Sequence, residues 1–146
     1  MPPARTLHPL PEQGRHRRAL LDTSVVIDIE TLDPFQLPVE VGVSALTMAE
    51  LGTGPHATTD PDERGRRRDR LQRSEAAFDP LPFDTDAARA YGRVVSAVMA
   101  AGRNARGARV VDLPIAATAL AAGLPLYTRN GDDFQALDDL VEVIVL

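Results

Sequence analysis

Apolar and polar positions alternate along the chain in blocks that mark out its elements. Ala19-Leu20-Leu21 is a short apolar run, and Val25-Val26-Ile27 follows it across the polar triplet Asp22-Thr23-Ser24. This predicts a buried strand that ends near Asp22 and passes directly into a helix. Leu32 to Pro38 contains Pro34 and Pro38 and is expected to be a connection. Val39 to Val43 predicts a second strand. Ser44 can then cap a helix over Ala45 to Leu51, stopped by Gly52, Gly54 and Pro55. Pro61 to Ala77 predicts an arginine-rich helix, with Gly65 as a candidate hinge. Leu81 to Phe83 predicts a short strand, and Asp84 a cap for an amphipathic helix that ends at Gly102. In that helix Ala87, Ala88, Tyr91, Val94, Val95 and Val98 follow the helical period, with Asp86, Arg89 and Arg93 opposite. Gly107 marks a loop. Asp112 stands at the mouth of a helix over Pro114 to Ala122, where a first-turn proline is harmless and Gly123 closes the end. Leu124 to Thr128 predicts a strand, Asp132 to Leu137 a short helix, and Val141 to Val145 a last strand.

Strands that alternate with helices imply an α/β layer fold, a mostly parallel central sheet of four to five strands flanked by helices, joined by right-handed crossovers. A length of 146 residues fits one domain with a single sizeable core. Residues 1–18 are rich in proline and arginine, lack periodicity, and are expected to be a flexible or loosely attached extension, with the domain over 19–146. Neither an internal repeat nor a glycine-rich nucleotide fingerprint is present.

Composition narrows the chemistry. All 16 basic residues are arginine, and there is no lysine and no cysteine. That excludes a thiol nucleophile, a disulfide framework, a zinc knuckle, a P-loop lysine and a Schiff base. The longest apolar stretch, Val110 to Leu126, is broken by Asp112, Pro114, Gly123 and Pro125, whereas a membrane span needs about 20 apolar residues. A cytoplasmic protein with no membrane partner is expected. The net charge of −5 is uneven: residues 1–18 sum to +3 and residues 64–73 to +5, which leaves −13 for the remainder. An acidic body with basic appendages suggests an acidic site with basic help at its rim, not a DNA-coating surface.

Ligands of open parallel sheets bind beyond the carboxyl ends of the strands. Asp22 falls there, within an apolar run where a carboxylate is costly unless it is paired or bound to a metal. Glu50 lies on the helix after the second strand, Asp112 at a helix start, and Asp132 and Asp133 at the start of another. Each has a plainer reading: Asp112, Asp132 and Asp133 as helix caps or dipole partners, and Glu50 as a solvated helix residue. Taken as a set, the acids would repel unless a cation neutralised them; without lysine that cation is arginine or a metal, and oxygen-only ligands favour a hard ion, Mg²⁺ or Mn²⁺. Such an ion supports phosphodiester hydrolysis.

Leu21-Asp22-Thr23-Ser24-Val25, Ala49-Glu50-Leu51, Asp112-Leu113-Pro114-Ile115-Ala116-Ala117-Thr118-Ala119 and Tyr127-Thr128-Arg129-Asn130-Gly131-Asp132-Asp133-Phe134 resemble, in order, the four acidic motifs of PIN-domain ribonucleases. The nearest branch is the VapC-type toxin of bacterial toxin–antitoxin pairs. The likeness runs from about Leu20 to Leu146. It implies a Rossmann-like PIN domain, a Mg²⁺-dependent endoribonuclease that cuts structured RNA such as tRNA or rRNA, a homodimer, and a VapB-type antitoxin that blocks the site. Asp22, Glu50 and Asp112 match the first three acids and would hold the metal. Asn130 stands where many relatives place an aspartate, so the fourth acid falls at Asp132, a metal or water-shell ligand, or at Asp133 before Phe134. Ser24 and Thr128 match hydroxyl positions that would hydrogen-bond the acids or a phosphate.

Arg66, Arg70 and Arg73 share one helical face and could track RNA phosphates, with Arg129 a further candidate. A solvated surface helix, or a face that meets the antitoxin, is equally compatible. A phosphatase or phosphotransfer receiver would also place an aspartate after the first strand, but by resemblance both want a lysine. A PIN-fold RNA-processing nuclease, or a catalytically silent RNA-binding module, remains the alternative to a toxin.

Overall fold

The structure is a computed structural model and describes residues 16–102 and 112–146. The expected loop at Gly107 and the extension up to residue 15 lie outside the described residues. The elements are β1 (Arg18–Leu21), α1 (Thr23–Ile27), β2 (Glu40–Val43), α2 (Ala45–Thr53), α3 (Pro61–Ala77), α4 (Thr85–Ala100), α5 (Asp112–Ala122), β3 (Leu126–Thr128) and β4 (Val143–Val145). The strands form one parallel sheet in the order β2-β1-β3-β4. This is the four-stranded parallel α/β architecture that the alternation predicts.

Period-two alternation divides the strands between two faces. Leu20 and Leu126 belong to a core with Val94, Ile115, Ala116 and Phe134. Their neighbours Ala19, Leu21 and Tyr127 face the other way, into a core with Val25, Val26 and Val43. Leu20, Leu21 and Leu126 are each fully buried. A buried leucine contributes about 1.5–3 kcal/mol, so the two central strands anchor both layers. The chain goes from β1 to β2 on one side, and β3 joins β1 on the other. The carboxyl ends of β1 and β3 therefore flank the point where strand order reverses, which is where such sheets bind ligands.

Caps act where the sequence indicates. Asp22, Ser44, Asp60 and Asp84 each accept from a backbone N–H in the first turn of α1, α2, α3 and α4. Gly102 and Gly123 have positive φ, 74° and 68°, the backbone that ends a helix most cheaply at glycine.

Several expectations need correction. Leu81 to Phe83 is not a strand. Leu81 makes a single parallel bridge to Ser44, accepting from Ala45 N and donating to Val43 O, and Pro80 and Pro82 on either side lack the N–H groups to extend it. Gly52 does not stop α2, which runs to Thr53 and tightens into a 3₁₀ turn over Gly54–Ala57. Gly65 is not a hinge, since α3 is continuous. The strand foreseen at Leu124 begins at Leu126, after Pro125, and the segment Gly131–Leu137 is a 3₁₀ turn. On α4 the buried stripe is Ala87, Ala90, Val94 and Val98. Ala88 and Tyr91 lie outside it, and Tyr91 meets Phe83 edge-on at 6.3 Å.

Candidate active site

Asp22 is the first residue past β1 and the N-cap of α1. It is 2% exposed, yet its carboxylate is well supplied with donors. Oδ1 accepts from Ser24 Oγ at 2.5 Å and from Val25 N at 3.3 Å, and Oδ2 accepts from Thr128 Oγ1 at 2.6 Å. Charge-assisted bonds of this kind offset the cost of burying an anion. The hydroxyls are themselves held: Arg129 N donates to Ser24 Oγ at 3.0 Å, and Asn130 N to Thr128 Oγ1 at 2.9 Å. The turn after β3 thus positions the donors that fix Asp22.

Glu50 reaches this region from α2, half-buried. Thr23 Oγ1 donates to Glu50 Oε1 at 2.6 Å and lies 3.0 Å from Thr47 Oγ1. A hydroxyl has one proton, and an ionised carboxylate only accepts, so the direction is fixed: Thr47 donates to Thr23, and Thr23 to Glu50. Glu50 is therefore bridged to the residue that follows Asp22. Thr23 and Thr47 received no role from the sequence. The available signal was a hydroxyl beside Asp22 and another three residues before Glu50, on the same helical face.

Asp112 opens α5 and is 4% exposed, in a helix whose Leu113, Ile115, Ala116 and Ala117 are all buried. Asp132 and Asp133 lie in the first turn after Asn130, and Asp132 accepts from Gln135 Nε2 at 3.2 Å. They line an open cleft with Arg129, Asn130 and Asp138. Hence Asp22, Ser24, Thr128 and the Asn130 backbone are brought into one hydrogen-bonded cluster, with Glu50 attached through Thr23. Among the described residues no three acid or imidazole side chains already form a metal-binding group.

Part of the arginine cluster on α3 is tied up in ion pairs. Arg66 and Arg67 both bind Glu63, and the Arg66 hydrogen bond, then that of Arg67, holds the Glu63 carboxyl below its usual range. Arg73 pairs with Glu30 at 3.2 Å, and Arg129 with Asp28 at 3.0 Å.

A parallel sheet ordered β2-β1-β3-β4, with a buried aspartate at the reversal point, defines the class, and the PIN-domain family profile matches residues 19–140. The chain belongs to the PIN-domain family, in its VapC-type branch. It is 38% identical over 130 residues to ribonuclease VapC5 of Mycobacterium tuberculosis, covering 87% of this chain and 93% of that one. It is also 38% identical to ribonuclease VapC4 of the same organism, over 89% of this chain and 98% of the relative. Among solved structures it is similar to VapBC-5 of Mycobacterium tuberculosis, a member of the VapBC toxin–antitoxin family. The TM-score is 0.79 at 39% identity, over 89% of this chain and 99% of that one.

Proposed function

We propose that this chain is a divalent-metal-dependent endoribonuclease toxin that cuts structured RNA, tRNA or rRNA, inhibits translation, and is neutralised by a VapB-type antitoxin. The observation that carries the reading is Asp22: a buried carboxylate at the sheet's reversal point, held by Ser24 and Thr128 and linked through Thr23 to Glu50. The names of its relatives, ribonucleases from VapBC systems, support the same reading.

The donor set fits a hard cation. Asp22 and Asp112 are nearly fully buried, Glu50 is half-buried, and all offer oxygen. Mg²⁺ commonly takes one or two carboxylates and completes its shell with water and substrate phosphate, so a preformed three-acid cage is not required. Asp22, Glu50 and Asp112 would hold the ion, directly or through its waters, with Asp132 or Asp133 contributing to its water shell. When bound, the ion supplies Lewis-acid stabilisation of phosphoryl charge. The chain's own work is orientation. Ser24 and Thr128 fix the Asp22 carboxylate, and the Thr47–Thr23 relay fixes Glu50. The backbone after β3 locks the hydroxyls.

The test is RNA cleavage by the purified chain with Mg²⁺ or Mn²⁺, with EDTA, and with Asp22→Asn. Asparagine keeps an acceptor for Ser24 Oγ and Val25 N, and its NH₂ can donate to the Thr128 hydroxyl oxygen in place of the lost bond, so the fold should persist. Loss of an inner carboxylate should exceed the about 10–100-fold that outer-shell partners cost. Sequencing of 5′-phosphate ends after induction in cells identifies the RNA. Undiminished cleavage in EDTA, or by Asp22→Asn, sinks the proposal.

A further inference from the structure

Six arginines crowd residues 64–73, and they are not equivalent. Arg64 donates to Pro55 O and Thr58 O. Arg66 and Arg67 bind Glu63, and Arg67 also donates to Gly54 O at 2.9 Å. Arg73 pairs with Glu30. Among the described residues that leaves Arg68 and Arg70. Arg68 is exposed, whereas Arg70 is partly buried.

Arg70 lines a cleft of about 320 Å³ together with Thr23, Glu50, Glu63 and Arg67. Within it Arg67 is bound to Glu63, a carboxylate it shares with Arg66. Arg70 and Glu50 share the cleft without forming an ion pair. A partly desolvated guanidinium with no acid partner is an open site for an anion. It also borders a second, mainly apolar cleft of about 240 Å³ beside Val26, Ile29 and Phe78. Arg70 thus stands on the wall between the Glu50 cleft and an apolar trough, with its fork of donors uncommitted.

We propose that Arg70 is a phosphate-binding residue for the RNA substrate. Its guanidinium takes the non-bridging oxygens of a phosphate flanking the cut, on the Glu50 side of the site. The inference rests on the nuclease reading above and deepens it. It assigns substrate contact to one arginine of α3 and gives Arg66, Arg67 and Arg73 to helix architecture. A planar bidentate contact with phosphate is what an arginine in this setting provides and a lysine does not reproduce.

The test compares wild type with Arg70→Ala, Arg70→Lys and Arg68→Ala. It uses a fluorescein-labelled RNA stem-loop and a series of salt concentrations. Cleavage gives KM and kcat, and anisotropy in an Asp22→Asn background gives affinity without turnover. Arg70→Ala is expected to raise KM about tenfold, to leave kcat within about twofold, and to lower the salt slope of binding by about 0.7–0.9, the share of one phosphate. Arg70→Lys should recover part of the affinity, and Arg68→Ala should match wild type in both readouts. Because Arg70 has no partner in the fold, its truncation should leave the melting temperature unchanged. An unaltered KM and slope in Arg70→Ala overturns the proposal, as does an equal effect in Arg68→Ala. Unchanged RNA affinity with lost binding of a polyglutamate peptide would hand the guanidinium to a protein partner and overturn it too. Should Asp22→Asn cleave like wild type, the nuclease reading fails, and the anisotropy slope still decides whether Arg70 binds RNA.

Discussion

Thr128 and Asp22 stand 106 positions apart in the chain, and the Thr128 hydroxyl donates to the Asp22 carboxylate at 2.6 Å. The bond joins the last residue of β3 to the first residue past β1, at the carboxyl ends of the two paired strands. It makes the sheet register and the site geometry one quantity: a slip of β3 along β1 would carry Thr128 away from Asp22.

Thr128→Val tests that coupling. The substitution keeps the shape of a fully buried side chain, removes the donor to Asp22, and takes the acceptor from Asn130 N. A hydrogen bond to a charged group is worth about 1.5–3 kcal/mol, so unfolding in urea with EDTA present should show a loss of that size. Thr128→Ser should recover most of it. An unshifted midpoint in Thr128→Val would mean that the bond contributes nothing to holding the buried carboxylate.

Much of this site was legible because Asp22 interrupts an apolar run, and a carboxylate there demands an explanation whatever the fold. The caps Ser44, Asp60 and Asp84 were legible for a similar local reason: a short polar side chain just before a helical pattern has one common use. The cost of a misreading shows at Leu81, where propensity suggested a strand but flanking prolines leave a single bridge. Tyr91 fitted the helical period and still lies outside the buried stripe, because period alone does not fix which edge of an apolar face meets the core. The Thr47–Thr23–Glu50 relay left only the spacing of two hydroxyls as its sign, because it joins two helices through groups that carry no hydrophobic signal. The ion pairing of Arg66, Arg67 and Arg73 was equally hidden, since sequence counts charges but not their partners.

Glu63 gives a pH prediction. Its hydrogen bonds from Arg66 and then Arg67 lower its pKa below the ordinary 4.5. A depressed carboxylate contributes stability that is present above the unfolded value and lost as pH falls through the folded one. The Glu63 carboxyl carbon followed by NMR should titrate below 4.5 in wild type and return toward it in the double variant Arg66→Ala, Arg67→Ala. Added salt should narrow the difference, because the group lies at the surface. Identical midpoints in wild type and double variant would refute the assignment.

Gly131 opens the turn that carries Asp132 and Asp133, and a Cβ there would lie 2.5 Å from Val145 Cγ2 on β4. Gly131→Ala must push the Val145 side chain off its rotamer, which costs about 0.5–1.5 kcal/mol. Val145 is 59% exposed, so Val145→Ala alone should be nearly silent. Combined with Gly131→Ala it should restore most of the lost stability, a coupling of about 0.5–1.5 kcal/mol in the double-mutant cycle. Additive effects would show that the glycine is required for another reason.

The Thr47–Thr23–Glu50 chain separates a functional Glu50 from a merely solvated helix residue. Thr23 is 5% exposed and Thr47 is fully buried, so neither hydroxyl was placed there for contact with water. With Thr23 spending its proton on Glu50, Thr47 completes the acceptor side of Thr23 and pins its rotor. Thr23→Val leaves the Glu50 side chain free to leave its working rotamer. If Glu50 takes part in cleavage, kcat should fall about tenfold, equivalent to about 1.4 kcal/mol of transition-state stabilisation, with KM little changed. Thr23→Ser should rescue the rate, because it returns the hydroxyl without the methyl. Thr47→Val should produce a weaker version of the same kcat defect, since it frees the rotor of Thr23 without removing the donor. A purely structural relay predicts otherwise: Thr23→Val would lower the melting temperature, and kcat at a temperature where both proteins are folded would equal wild type. That outcome would return Glu50 to the surface of α2 and leave Asp22 to act with Asp112 alone.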